Sequence, residues 1–317
     1  GSTLYDANGN AFTMRGVNIN HAWYKDRTMD AIAKSGELGS NCARIVLGDG
    51  TQYPFIAASE VEDIIEKCEE LGMICIVEVH DHTGADDTSR LNSAVEYWKN
   101  MKDLLNAHKD YVIVNIANEW HGTWNMGATW SSAYQSAIKS MRNAGIENVI
   151  MVDAAGWGQD IMGLAGVAQK ILAADTTGNT MFSGHMYCYG APSTDGIKQR
   201  IDAFTNKNLC FCVGEFGWKH NPGSIPYKYI MSYAQENCAG WLAWSWYGNG
   251  AEGNYLAAGD LDMVNADNSL KSPWGTDVAA EWSGAQKYDF SGSGSSGNNT
   301  QATQATQATS ATQATQA

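Results

Sequence analysis

Glu119 and Glu215 each close a short apolar run, in Ile116-Ala117-Asn118-Glu119-Trp120 and Cys212-Val213-Gly214-Glu215-Phe216-Gly217. Arg44, His80, Asn118, His185 with Tyr187, and Trp246 likewise interrupt or finish runs that are otherwise apolar. Each has an ordinary structural explanation when taken singly: a buried ion pair, a satisfied histidine, a packed indole. Burying all of them would be costly, so as a set they indicate a functional constellation. Two carboxyl groups on opposite walls of one cavity can do acid–base and nucleophilic chemistry. Glycoside hydrolysis needs such a pair: one carboxylic acid protonates the leaving oxygen, and the other group attacks the anomeric carbon or activates water.

The elements that must position these residues follow from hydrophobic periodicity. Strands are expected over 12–19, 41–47, 73–80, 112–118, 148–153, 180–185, 209–215 and 240–246. Helical periods fall between them, over 30–38, 60–71, 94–107, 133–143, 162–173, 197–205 and 226–237. In the second helix Val61, Ile64, Ile65 and Cys68 form one apolar stripe, with Ser59 read as the N-cap, and Asp160 is read as the N-cap of the fifth. Strands apolar on both faces, separated by helices, indicate a parallel sheet covered by helices, and eight of them in about 280 residues match a (β/α)8 TIM barrel. A doubly wound sheet is the alternative, but no GxGxxG follows the first strand and no GxxxxGK[ST] is present. In a barrel the chemistry gathers at the C-terminal ends of the strands, where the polar set lies.

The chain has 317 residues, 44% hydrophobic and 17% charged, with a formal charge of −14 and no basic patch. Nucleic-acid and anionic-membrane partners, which are held by Lys and Arg, are therefore not expected. No apolar run approaches the roughly 20 residues of a membrane helix. Residues 1–288 read as one catalytic domain, and 289–317 as a disordered Ser/Gly then Thr-Gln-Ala linker without aromatic residues or charge from 291 onward. The chain opens on Gly1-Ser2, as a mature or trimmed chain does. The Ser/Thr-rich tail reads as an extracellular linker to an appended module, so a secreted monomer is expected. Seven cysteines form no CxxC pair and read mostly as small buried apolar residues.

Twelve Trp and fourteen Tyr cluster in Gly-rich stretches, where flat rings suit either the core or the apolar faces of sugars. The ordered set of Arg44, His80, Asn118-Glu119, His185, Tyr187, Glu215 and Trp246 on successive strand ends resembles glycoside hydrolase family 5, over nearly the whole chain to about Trp282. The segments Gly16–Tyr24, Val152–Asp160 and Leu242–Asn249 look like the bacterial-type endo-β-1,4-mannanases of that family. The resemblance implies a retaining enzyme acting on β-mannan without a cofactor, with Glu119 as acid/base and Glu215 as nucleophile.

Beside that resemblance, Arg44 and Tyr187 are expected to keep Glu215 charged, with Asn118 free for the sugar 2-hydroxyl. His185 would bond Glu119 or its neighbours, and His80 would tie the sugar or Arg44 in place. Trp246 is expected to floor the subsite at the cleaved bond, while Trp244, of the same strand parity, divides between core and platform. Trp120, Trp124 and Trp157 are read as platform or packing, Gln159 goes with the Trp157 segment, and His21 and Trp23 as lining the far side of the cleft. A metal site from His80, His82, His121 and Glu119 lacks a ligand motif, so no metal is expected. Asp153 is weighed as an extra carboxylate, and Glu252 and Asp260 read as solvated. An endo-β-1,4-glucanase built on the same catalytic set, and a non-catalytic glycan-binding barrel, are the alternatives.

Overall fold

A computed structural model describes residues 1–125 and 127–290. Most of the expected linker, residues 291–317, lies outside the described residues, while the Phe290 ring packs on Tyr288 and Tyr111 at 4.3 and 4.8 Å. Eight parallel strands close a barrel: β1 (Met14–Ile19), β2 (Cys42–Leu47), β3 (Ile74–Val79), β4 (Val112–Asn115), β5 (Val149–Asp153), β6 (Thr180–Met186), β7 (Phe211–Phe216) and β8 (Gly240–Ala243). Each pairs with its sequence neighbours, and β8 returns to β1. This is the expected (β/α)8 fold. Strands β2 and β3 are buried along their whole length, which is why they read as apolar on both faces.

The helices form the outer ring: α1 (Thr28–Glu37), α2 (Ala58–Glu70), α3 (Thr88–Asn100), α4 (Lys102–Ala107), α5 (Gly127–Asn143), α6 (Ile161–Leu172), α7 (Thr194–Thr205), α8 (Tyr227–Asn237) and α9 (Trp274–Glu281). The single helix expected over 94–107 is divided at Met101 (φ −103°, ψ 10°) into α3 and α4. Ser59 is not a cap, because α2 starts earlier: the N–H groups of Glu60 and Val61 donate to the Ala57 carbonyl. Asp160 does cap α6, accepting from the Gly163 N–H at 3.1 Å. All seven cysteines are free thiols, and four of them are buried.

Three strands stop earlier than expected, β3 by one residue at Val79, and the two larger shortfalls matter for the site. β4 ends at Asn115, so Asn118 and Glu119 stand on the loop beyond it. β8 ends at Ala243, three residues before Trp246, so strand alternation no longer dictates where that indole points.

Register between β8 and β1 depends on Gly240. It pairs with Met14 at φ 103°, and a Cβ there would sit 1.9 Å from the Met14 carbonyl oxygen. Gly240→Ala combines a left-handed backbone with a backbone clash, so it should destabilise the protein by about 3 kcal/mol or more. Urea unfolding measures this; an unchanged midpoint would contradict the β1–β8 register.

Candidate active site

Arg44 enters the barrel from the middle of β2 with no exposed surface. Its Nη1 donates to Glu215 Oε1 and Asn18 Oδ1, both at 2.9 Å; Nη2 donates to Asn118 Oδ1 at 2.7 Å and Asn115 Oδ1 at 2.8 Å; and Nε also reaches Asn115, at 3.0 Å. Asp153 and Glu78 complete the shell at 3.4 and 3.8 Å. Burial disfavours the guanidinium's charge, but Glu78, Asp153 and Glu215 outweigh it and hold the proton more firmly than usual. Asn18, Glu78 and Asn115 were missed in the sequence, although each is a polar side chain inside an apolar strand and had to find a partner.

The two candidate carboxylates meet at this hub. Glu215, at the end of β7, accepts from Arg44 on Oε1 and from the Tyr187 hydroxyl on Oε2, both at 2.9 Å. Glu119 is held differently. Its backbone is in the left-handed region (φ 45°), fixed by its N–H donating to Asp153 Oδ2 at 3.1 Å and its carbonyl accepting from the Gly84 N–H at 3.0 Å. His185 Nδ1 lies 2.6 Å from Glu119 Oε1 and 3.5 Å from Glu215 Oε2. The His185 ring is seated on Gly158 (φ 73°), where a Cβ would fall 2.5 Å from it. One oxygen of each glutamate lies within 4.8 Å of the other. Retaining glycosidases place their carboxyls about 5–5.5 Å apart, and inverting ones about 6.5–9.5 Å, and so close an approach of two oxygens is compatible with the retaining arrangement.

Electrostatics favours a proton on Glu119. Burial raises the Glu119 pKa above the ordinary carboxyl value, and the Glu215 charge adds to this, against the opposing His185 contact. His185 is disfavoured as a cation by burial, yet Glu215, Asp153 and Glu119 together raise it to about 9. Burial likewise opposes charge on His80, and Glu78, at 2.8 Å from Nδ1, overcomes it and raises the ring's pKa. The Asn118 oxygen is taken by Arg44 and one amide hydrogen by the Thr83 hydroxyl at 2.9 Å, which leaves the other amide hydrogen, beside His80 Nε2 at 3.4 Å, for a sugar hydroxyl.

A cavity of about 440 Å³ opens above these groups, lined among others by His80, Asn118, Trp157, Gln159, Tyr187 and Trp244. Trp157 is half exposed, with its ring against Gly84. Gln159 turns its side-chain oxygen to the Tyr189 and Gly190 N–H groups, shaping the rim. Trp246 does not line the cavity. It is 1% exposed and packs beside Ile19, Tyr24 and Ala31, because its chain has already left the strand. Trp244 takes the expected place, stacked on His80 at 5.6 Å. Trp120 is also a packing residue, fully buried against Tyr134, its indole N–H donating to the Asp87 carbonyl. His21 is buried away from the cleft, between Thr28 and Glu60. Trp23 backs the wall behind Trp244 and His80 and donates to the Gly248 carbonyl.

Glu252 lines the cavity and pairs with His220 at 3.2 Å, and Asp260 pairs with Lys219 at 2.6 Å, so neither is simply solvated. His82 and His121 face Asp49 and Asp86 and do not converge with His80. Among the described residues, the trio able to ligate a metal is Glu119, His185 and Glu215, of which His185 Nδ1 and Glu119 Oε1 already bond each other.

Residues 5–250 match the family described as Cellulase (glycosyl hydrolase family 5). The chain is 44% identical over 287 residues to the mannan endo-1,4-beta-mannosidase of Salipaludibacillus agaradhaerens, covering 90% of this chain and 92% of that protein. It is 41% identical to the enzyme of the same name from Streptomyces lividans, covering 87% and 71% respectively. Its structure resembles the crystal structure of the beta-mannanase from Streptomyces thermolilacinus, with a TM-score of 0.82 and 34% identity over 90% of this chain and 96% of that one. With its barrel, its facing glutamates and these relatives taken together, the chain belongs to glycosyl hydrolase family 5.

Proposed function

We propose that the protein hydrolyses internal β-1,4-mannosidic bonds of mannan-type polysaccharides with retention. The observation that carries the reaction type is the close approach of Glu119 and Glu215 within 4.8 Å in one open cavity, with His185 between them. Substrate class rests on the shared name of the two relatives. In the first step Glu215 attacks the anomeric carbon while Glu119 gives its proton to the departing glycosidic oxygen. The product is a glycosyl ester on Glu215 and a shortened chain carrying the new hydroxyl. In the second step Glu119, now a carboxylate, takes a proton from water, the water oxygen bonds the anomeric carbon, and Glu215 leaves.

The supporting groups fit these roles. Arg44 and Tyr187 each donate one hydrogen bond to Glu215, one to each of its oxygens, and so place positive potential on the nucleophile's side of the cavity. Trp157 and Trp244 give the cavity flat apolar surface for sugar rings. A glucanase reading is favoured by one observation, the family's description as cellulase. Comparing initial rates on galactomannan and carboxymethylcellulose separates the two: mannan should be the faster substrate, and a reversed preference would replace the proposal. A polymer substrate too large to enter a cell supports action outside it, and the Thr-Gln-Ala composition suits a linker.

Glu215→Ala should abolish turnover while leaving the affinity for mannan largely intact, as measured by pull-down on insoluble polymer; persistent turnover would remove Glu215 as nucleophile. Glu119→Gln should lower kcat on mannan by about 10²–10⁴-fold. The loss in the first step should be much smaller for an aryl mannoside whose leaving group needs no proton, and equal losses on both would argue against an acid role. His185 carries the pH signature. Its pKa rises from 6.5 unfolded to about 9 folded, so its stabilisation is complete below pH 6.5 and lost as pH climbs through 9. Urea midpoints from pH 6 to 9.5 should therefore fall more steeply for the wild type than for His185→Gln, by up to about 3 kcal/mol in stability.

A further inference from the structure

Two loops at the mouth of the barrel are joined beside the nucleophile. After β7 the chain makes a small hairpin, pairing Lys219–His220 with Gly223–Ser224. After β8, residues 249–261 form a Gly-rich loop closed by a bridge between Glu252 and Leu256. Three contacts tie them together. The Trp218 indole N–H donates to the Asp260 carbonyl at 2.7 Å, Lys219 pairs with Asp260 at 2.6 Å, and His220 Nε2 meets Glu252 Oε2 at 3.2 Å. The third differs from the other two because both His220 and Glu252 line the catalytic cavity.

His220 also touches the machinery. Its ring lies 5.0 Å from the Tyr187 ring, whose hydroxyl donates to Glu215, and 5.3 Å from Tyr255, another cavity residue. The Glu252 charge contributes to holding the Tyr187 phenol protonated, behind burial and the two catalytic glutamates. Among the described residues, Glu252 Oε1 and His220 Nδ1 have no hydrogen-bond partner, and the Glu252 side chain is half exposed. A carboxylate with one oxygen held and the other free, next to an imidazole with one nitrogen held and the other free, offers adjacent polar atoms to neighbouring hydroxyls of one sugar ring.

We propose that His220 and Glu252 together bind the hydroxyls of a sugar unit on the Glu215 side of the cleft, and that His220 also positions Tyr187 against the nucleophile. The proposal rests on the mannanase reading. It assigns substrate recognition to two residues that neither strand periodicity nor the catalytic set points to. Glu252 is a binding residue here, and His220 is both a binding and a positioning residue.

The test is steady-state kinetics on linear β-1,4-mannohexaose for the wild type, Glu252→Gln, His220→Ala and His220→Phe, with thermal unfolding of each variant. Glu252→Gln and His220→Ala should each raise KM about tenfold, the loss expected for a hydrogen bond involving a charged group. His220→Ala should lower kcat as well, since Tyr187 loses its neighbour. His220→Phe keeps a ring against Tyr187, so it should recover kcat while KM stays high. This split would not arise from a general structural defect. KM within twofold of wild type in both Glu252→Gln and His220→Ala would overturn the binding role. A kcat that His220→Phe fails to restore would overturn the positioning role. If the wild type leaves mannohexaose uncut, the mannanase reading itself falls, and this pair's assignment with it; if the wild type cuts it and the variants match it, only the pair's assignment falls.

Discussion

Arg44 sits on the barrel interior with no contact with solvent, and a cation there persists only if its surroundings replace water on every side. They do so with side chains from five strands or strand ends: Asn18, Glu78, Asn115 with Asn118, Asp153 and Glu215. The ring is therefore both a structural closure of the barrel and the support of the nucleophile. Removing the guanidinium would strand buried carboxylates, so the stability of the barrel mouth and the placement of Glu215 are bound to the same interaction.

The same cluster explains why one glutamate becomes the acid. Four buried carboxyl groups, Glu78, Asp153, Glu119 and Glu215, face three groups able to carry positive charge, Arg44, His80 and His185. Balance leaves one carboxyl in excess, and the one without a direct contact to the guanidinium is the cheapest to protonate. Glu119 is that group: among the described residues it has no direct bond from Arg44, and its pKa is displaced upward by burial. His185, bonded to Glu119 and close to Asp153 and Glu215, keeps its proton to high pH and links the two catalytic groups electrostatically. Acid and nucleophile thus differ through environment, as two identical side chains must.

The cleft wall follows a different logic from the charged centre. Its aromatic residues come from loops that start where ladder bonding stops, so their directions are set by what they pack on. Trp157 rests on the Gly84 backbone, Trp244 stacks on His80, and Trp23 stands behind both His80 and Trp244. Polar rings that hold the catalytic groups also serve as the base for the apolar surface, so a change at His80 reaches the nucleophile's shell and the sugar platform together.

From residues alone one can read the alternation of strand and helix, and the polar positions at strand ends, because each is a local cost: an apolar run needs a core, and a charge inside it needs a partner. Arg44, Glu119, His185, Tyr187 and Glu215 were legible as positions for that reason, and their pairing was expected beside the family resemblance. Tertiary structure decided what lies beyond the last ladder bond. It turned Trp246 and Trp120 into packing residues, buried His21 against Glu60, and spent the Asn118 oxygen on Arg44. It also recruited Glu78, Asn115, Asp153, His220 and Glu252, residues far apart in the chain whose partners exist only once the barrel is closed. Side-chain direction in a loop and distance across a barrel are properties of closure, and no local pattern of residue types carries them.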